Sequence, residues 1–210
     1  MALVLDETNS LITLEDLKEY LADLATDEIV TGGERNEELE HIINAVSGYC
    51  NTRTHRKLKT RENTEYYDGD GTDVLFVNNY PITSTAATIS IWDDVDRDYG
   101  DNEKIDAEDI IIYADDGIIK LEEDVFSKGY QSVKITYTAG YTLTAGETHT
   151  IPGDLSMAVK MMCAKLWSLK QDKSFVASSI NAGNASASFF ERWIPPFADE
   201  VLKRYEREVA

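Results

Sequence analysis

The amino-acid sequence predicts an α+β fold: a bundle of about four helices, two N-terminal and two C-terminal, with an antiparallel β-sheet subdomain inserted between helices two and three. Apolar residues recur at steps of three and four near both ends of the chain, while the middle switches to a period of two punctuated by Asp-Gly turns. Neither helical pair carries enough apolar surface to stand alone. The ends of the chain are therefore expected to meet in one bundle from which the sheet protrudes.

Near the N-terminus Leu14, Leu17, Leu21 and Leu24 share one helical face, and Thr13 and Asp16 have the spacing of a capping box. This predicts a helix over 13–25. After the turn signal Thr31-Gly32-Gly33, the residues Leu39, Ile42, Ile43, Val46 and Tyr49 mark a second stripe and a helix over 34–53. From Leu58 the period is two, and strands are expected at 58–67, 73–78, 87–92, 109–114, 117–122 and 132–139. Asp68-Gly69 and Asp116-Gly117 are the clearest turns, since glycine takes the positive φ that tight hairpins need.

Pro152 opens a third helix over 153–171, with Leu155, Val159, Met162, Leu166 and Leu169 as its apolar stripe. A last helix starts at Pro195-Pro196 and is expected to bury Phe197, Val201 and Tyr205. Its Lys203, Arg204 and Arg207 complement the negative end of the helix dipole. In domain terms, residues 1–56 and 142–210 form the two parts of the bundle, and residues 57–141 form the inserted β subdomain.

Between the last two helices lies the segment 173–194, rich in Ser, Ala and Asn yet carrying Phe175, Val176, Ile180, Phe189, Phe190 and Trp193. Long loops without structure of their own are uncommon in compact domains, and water disfavours exposed aromatic rings. The segment is therefore expected to be ordered by a partner. The competing reading folds its aromatics back onto the same subunit.

Composition narrows the function classes. The 210 residues include 39 acidic and 20 basic side chains, a formal charge of -19, which disfavours nonspecific binding to nucleic acid or anionic membrane. A DNA reader is not expected, although an acidic channel wall would let a duplex pass without sticking. Cys50 and Cys163 lack ligand spacing, so neither a disulfide framework nor a zinc site is expected, and a reducing cytoplasm is the simplest compartment. No run of about 18 apolar residues occurs, and the opening MALVLDETNS lacks a basic stretch, so membrane spanning and secretion are not expected either.

Chemistry-bearing motifs are sparse. Asp68-Gly69-Asp70-Gly71-Thr72-Asp73 alternates carboxylates as a calcium loop does, but the sixth-position Gly and twelfth-position Glu of an EF-hand fall on Asp73 and Asn79. The acidic run Asp93 to Asp98 also lacks that glycine and reads as a solvated loop. His41, His55 and His149 stand beside no nucleophile motif, and no phosphate loop or dinucleotide fingerprint is present. No catalytic residue, cofactor or metal ligand is expected. One basic run, Arg53, His55, Arg56, Lys57, Lys59 and Arg61, breaks the acidic background. It could dock a neighbour's acidic face or simply neutralise local charge, including the dipole of the second helix.

Four stretches taken in order resemble the phage head-tail connector, or adaptor, family: ITLEDLKEYL from Ile12, YYDGDGTDVLFVNNYPIT from Tyr66, VKITYTAGY from Val133, and IPGDLSMAVKMMCAKLW from Ile151. They cover most of residues 11–170, whereas the acidic loops near 93–108 and everything after 172 look particular to this chain. The resemblance implies a structural role with no enzyme activity. The implied assembly is a homo-oligomeric, twelve-fold ring attached to the portal protein in the virion neck after DNA packaging, made in the host cytoplasm. Tail-completion, stopper or tail proteins would bind below, and DNA would pass through without sequence-specific binding.

By the same carry-over the segment 173–194 and the last helix are candidates for portal contact, with Phe175, Ile180, Phe189, Phe190 and Trp193 as candidate interface residues. Arg53, Arg56, Lys57, Lys59 and Arg61 form the candidate inter-subunit basic patch. The alternatives are another neck protein, such as a stopper or tail-completion subunit, and, outside that class, a calcium-stabilised binding or adhesion module.

Overall fold

The computed structural model describes residues 4–24, 35–144, 146–171, 179–182, 185–188 and 193–207. In chain order the elements are α1 (Leu14–Leu24), α2 (Asn36–Thr54), β1 (Arg61–Gly69), β2 (Val74–Phe76), β3 (Ser90–Asp93), β4 (Ile110–Tyr113), β5 (Ile118–Leu121), β6 (Gly129–Ala139), α3 (Gly153–Gln171), β7 (Ser179–Ala182), β8 (Ala185–Ser188) and α4 (Pro196–Arg204). The class is α+β, with sheets between helical pairs, as the periodicities predict. The chain divides into two compact units, one of Met1–His55 with Ile151–Ala210 and one of Arg56–Thr150.

In the helical unit the capping box forms as its spacing requires: the Asp16 N–H donates to Thr13 Oγ1 at 3.0 Å and the Thr13 N–H to Asp16 Oδ2 at 3.2 Å. Two N–H groups that α1 cannot satisfy internally are thereby paired. The helix buries Leu14, Leu17 and Leu21, and α2 buries Leu39, Ile43, Val46 and Cys50. His55 ends α2 in the left-handed region at φ 55°, its N–H closing on the Thr52 carbonyl at 3.4 Å. α3 packs against α1, α2 and α4 together. That central position explains why its buried face, Leu155, Ala158, Val159, Met162, Cys163 and Trp167, is wider than the predicted stripe. Leu166 and Leu169 are only half-buried.

The second unit departs from the expectation of one sheet. It holds two three-stranded antiparallel sheets, in the orders β1-β6-β3 and β2-β5-β4. Burial alternates along the strands, and the inward faces of the two sheets meet in a common core. Ile91, Val133, Ile135 and Tyr137 come from the first sheet, Leu75, Ile110, Ile119 and Leu121 from the second, with Phe126 between strands.

One predicted turn is also displaced. Asp68-Gly69 is not a turn: β1 runs through it with a register shift between Tyr67 and Gly69, and the chain bends afterwards at Gly71, φ 84°. Gly69 serves close packing instead, since a Cβ there would lie 1.9 Å from the Ser127 carbonyl oxygen. The Asp116-Gly117 turn does join β4 to β5, with Gly117 at φ 67°.

Candidate assembly surfaces

Of the aromatic segment, Phe175, Phe189 and Phe190 lie outside the described residues. Ile180 belongs to β7, which pairs with β8 through Ile180 opposite Ala187, so this stretch contains a hairpin where the sequence suggested an irregular loop. Trp193 meets Tyr49 of α2 edge-on, ring centroids 4.7 Å apart. One predicted anchor is thus held, in part, by its own subunit.

The start of α4 corrects a second expectation. Phe197 is 42% exposed, and the buried residues are Ala198, Val201 and Leu202. Steps of three and four from Ala198 define the face that packs on the other helices, and Phe197 sits one residue, about 100°, away from it. Tyr205 is half-buried, and its hydroxyl donates to Asp154 Oδ1 at 2.8 Å.

The basic run is dispersed by the fold. Arg53 donates to Glu206 Oε2 at 2.6 Å and lies 3.9 Å from Asp199. The Glu206 hydrogen bond is the main cause that raises its already high pKa. Arg56 is 4% exposed, its guanidinium stacked 3.4 Å from the Tyr80 ring centroid and donating to the Tyr80 carbonyl. These two arginines brace their own subunit. Lys57 is exposed, while Lys59 and Arg61 are half-buried where the chain enters β1. What the run presents to solvent is therefore centred on Lys57.

Two surfaces escaped the sequence reading. On the outer side of the β2-β5-β4 sheet, Phe76, Ile118 and Tyr113 stand side by side in one cross-strand row and Val74, Lys120 and Ile111 in the next. Phe76 is 66% and Tyr113 50% exposed. The runs VLFV and IIIY are apolar on both faces, a pattern that reads as a fully buried strand, so the exposure was not visible from pattern alone. On the outer side of the other sheet, Tyr66, Lys134 and Trp92 form a row. The Lys134 ammonium lies 4.5 Å from the Trp92 ring and 5.3 Å from Tyr99, and Lys104 lies 5.6 Å from Trp92.

The acidic loops are organised by their own backbone. Asp94 accepts N–H groups from Asp96, Asp98 and Tyr99 at 2.8, 2.7 and 2.8 Å, and these bonds, that from Tyr99 foremost, hold its carboxyl below the usual range. Asp70 is lowered likewise, by the Thr72 hydroxyl and then its N–H. Among the described residues, no three His, Cys, Asp or Glu side chains come together as a metal site would require. Both cysteines are free and buried.

A model of the head completion proteins matches residues 10–208, which spans all of the β unit and most of the helical one. The chain belongs to the head completion protein family. Solved structures with the same fold come from gene transfer agent (GTA) particles. A chain from the neck of the empty GTA particle, computed with C6 symmetry, is 16% identical, with a TM-score of 0.59 over 99% of this chain and 94% of that one. A chain of the native GTA virion is 17% identical, TM-score 0.60, over 95% and 91%. One from the native GTA neck computed with C12 symmetry is 15% identical, TM-score 0.54, over 96% of each. No curated protein matches the chain.

Proposed function

We propose that this head completion protein acts as a head-tail adaptor of a tailed phage: copies of the chain form a ring below the portal, twelve of them by the adaptor resemblance, joining the capsid to the tail around the DNA path. The observation that supports this most is that one family match runs through both the helical unit and the inserted sheets, so the reading takes the whole chain as the functional object. The charge of -19 fits a conduit that repels DNA phosphates rather than a surface that grips them. The subunit would be made in the host cytoplasm and reside in the virion neck, with stopper, tail-completion or tail proteins below it.

Portal contact is assigned to the 173–194 segment and α4, through Phe175, Ile180, Phe189, Phe190 and Trp193, because buried aromatics dominate interface energetics. Native mass spectrometry and electron microscopy of the full chain, alone and mixed with its cognate portal, test the reading. A ring on the portal is expected, and replacing Phe189 and Phe190 by Ala should weaken it while the monomer stays folded. A chain that stays monomeric and ignores the portal overturns the adaptor reading.

A further inference from the structure

We infer that the outer face of the β2-β5-β4 sheet docks onto the outer face of the β1-β6-β3 sheet of the next copy, head to tail, an interface that rests on the ring reading above and gives it a surface. The first face carries exposed apolar side chains on both edge strands, Phe76 on β2 and Ile111 and Tyr113 on β4, in adjacent cross-strand rows joined across β5 by Ile118. Their inward neighbours Leu75, Ile110 and Ile119 are already committed to the core. Contiguous apolar surface of this kind marks an interaction site.

Charge selects the partner. The strand ends around this face carry exposed carboxylates, Asp115 and Asp116 at one end, Glu108, Glu122 and Glu123 at the other, and the cation within its rows, Lys120, is held by Asp73 at 3.3 Å. Two such faces pressed together would oppose like charges, so the face needs a partner with cations beside apolar surface. The chain itself has one. In the row Tyr66, Lys134, Trp92, with exposed Lys104 beside it, both ammonium groups lie over aromatic rings, and among the described residues neither is paired with a carboxylate.

Geometry then selects the symmetry. The inner faces of the two sheets share one core, so their outer faces point away from each other on opposite sides of the unit. A contact between two different, opposed surfaces is heterologous: every copy uses one face and offers the other, and the chain of copies closes into a ring when the rotation per copy allows.

Cysteine cross-linking of the full-length chain tests this, because Tyr66 and Tyr113 are exposed whereas native Cys50 and Cys163 are buried. In rings assembled on the portal, a chain carrying both Tyr66→Cys and Tyr113→Cys should give a covalent ladder with a short bis-maleimide. A mixture of the two single variants should stop at dimers, and each single variant alone should give none. Dimers from Tyr113→Cys alone would identify a like-on-like contact and overturn the inference. Rings visible by microscopy without a ladder would overturn it and leave the ring standing, whereas no ring under any condition overturns both. As a second arm, Lys104→Glu with Lys134→Glu should abolish assembly and Asp115→Lys with Asp116→Lys in the same chain should restore it. If Lys57→Glu with Lys59→Glu abolishes assembly while the Lys104 and Lys134 changes leave it intact, the acidic rim belongs to the basic run and the inference fails.

Discussion

The Tyr137 hydroxyl donates to Glu65 Oε2 at 2.8 Å inside the β unit. Glu65 also accepts from the Tyr67 hydroxyl and, through Oε1, from Asn79 Nδ2 at 2.8 Å, while Asn79 Oδ1 accepts the Lys57 N–H at 2.6 Å. One carboxylate thus ties β1, β6 and the segment after β2 together. Burial, and next the Glu65 charge, push the Tyr137 phenol up. Tyr137→Phe removes a hydrogen bond to an ionised acceptor and should cost about 1.5–3 kcal/mol. Glu65→Ala should cost more, because several buried donors lose their acceptor. Urea denaturation of both variants checks the order.

The N-terminal cap of α1 has a measurable share in stability. Thr13→Ala should cost about 1 kcal/mol. Burial alone would raise the Asp16 carboxyl, but the Thr13 hydroxyl and N–H, together with Lys160, outweigh it and hold the pKa below its ordinary value. A depressed folded pKa stabilises fully above the unfolded value of about 3.9 and is lost as pH falls through the folded one. The stability difference between wild type and Asp16→Asn should therefore be complete at pH 6 and shrink below about pH 4, as followed by thermal melts across that window.

The two faces of α4 should respond unequally. Leu202 is fully buried, so Leu202→Ala should cost about 2–5 kcal/mol. Phe197→Ala should change monomer stability by no more than about 0.5 kcal/mol, and an equal loss for both in denaturant titrations would contradict the observed rotation of the helix.

Two glycines make opposite predictions. Gly48 lies mid-helix in α2 with nothing within 4 Å of a built Cβ, so Gly48→Ala should stabilise by up to about 1 kcal/mol. At Gly69 the added Cβ meets backbone, and Gly69→Ala should destabilise by about 1–3 kcal/mol or more. Paired melting temperatures decide this.

The thiols should be inert in the folded state. Burial pushes Cys50 up to about 12 and Cys163 up as well. A thiol reagent at pH 8 should leave both unmodified in the native chain and label both after unfolding.

Local rules carried much of this structure. Thr13 and Asp16 announced their own hydrogen bonds, Pro152 and Pro196 mark helix starts, and Gly117 turns where Asp-Gly said it would, because each depends only on neighbours a few residues away. Leu14, Leu17 and Leu21 of α1 likewise revealed their buried face by spacing alone. These features determined the α+β class and the order of the elements.

Only the tertiary structure decided where pairing and exposure fall. Whether strands of apolar period form one sheet or two depends on which edges meet, and β5 chose β2 and β4 while β6 chose β1 and β3. Arg56 turned inward onto Tyr80, Phe197 turned outward, and Phe76 and Tyr113 were left on an open face. The reason is the same in each case: charge and hydrophobicity are properties of a residue, but burial is a property of what the rest of the chain places against it.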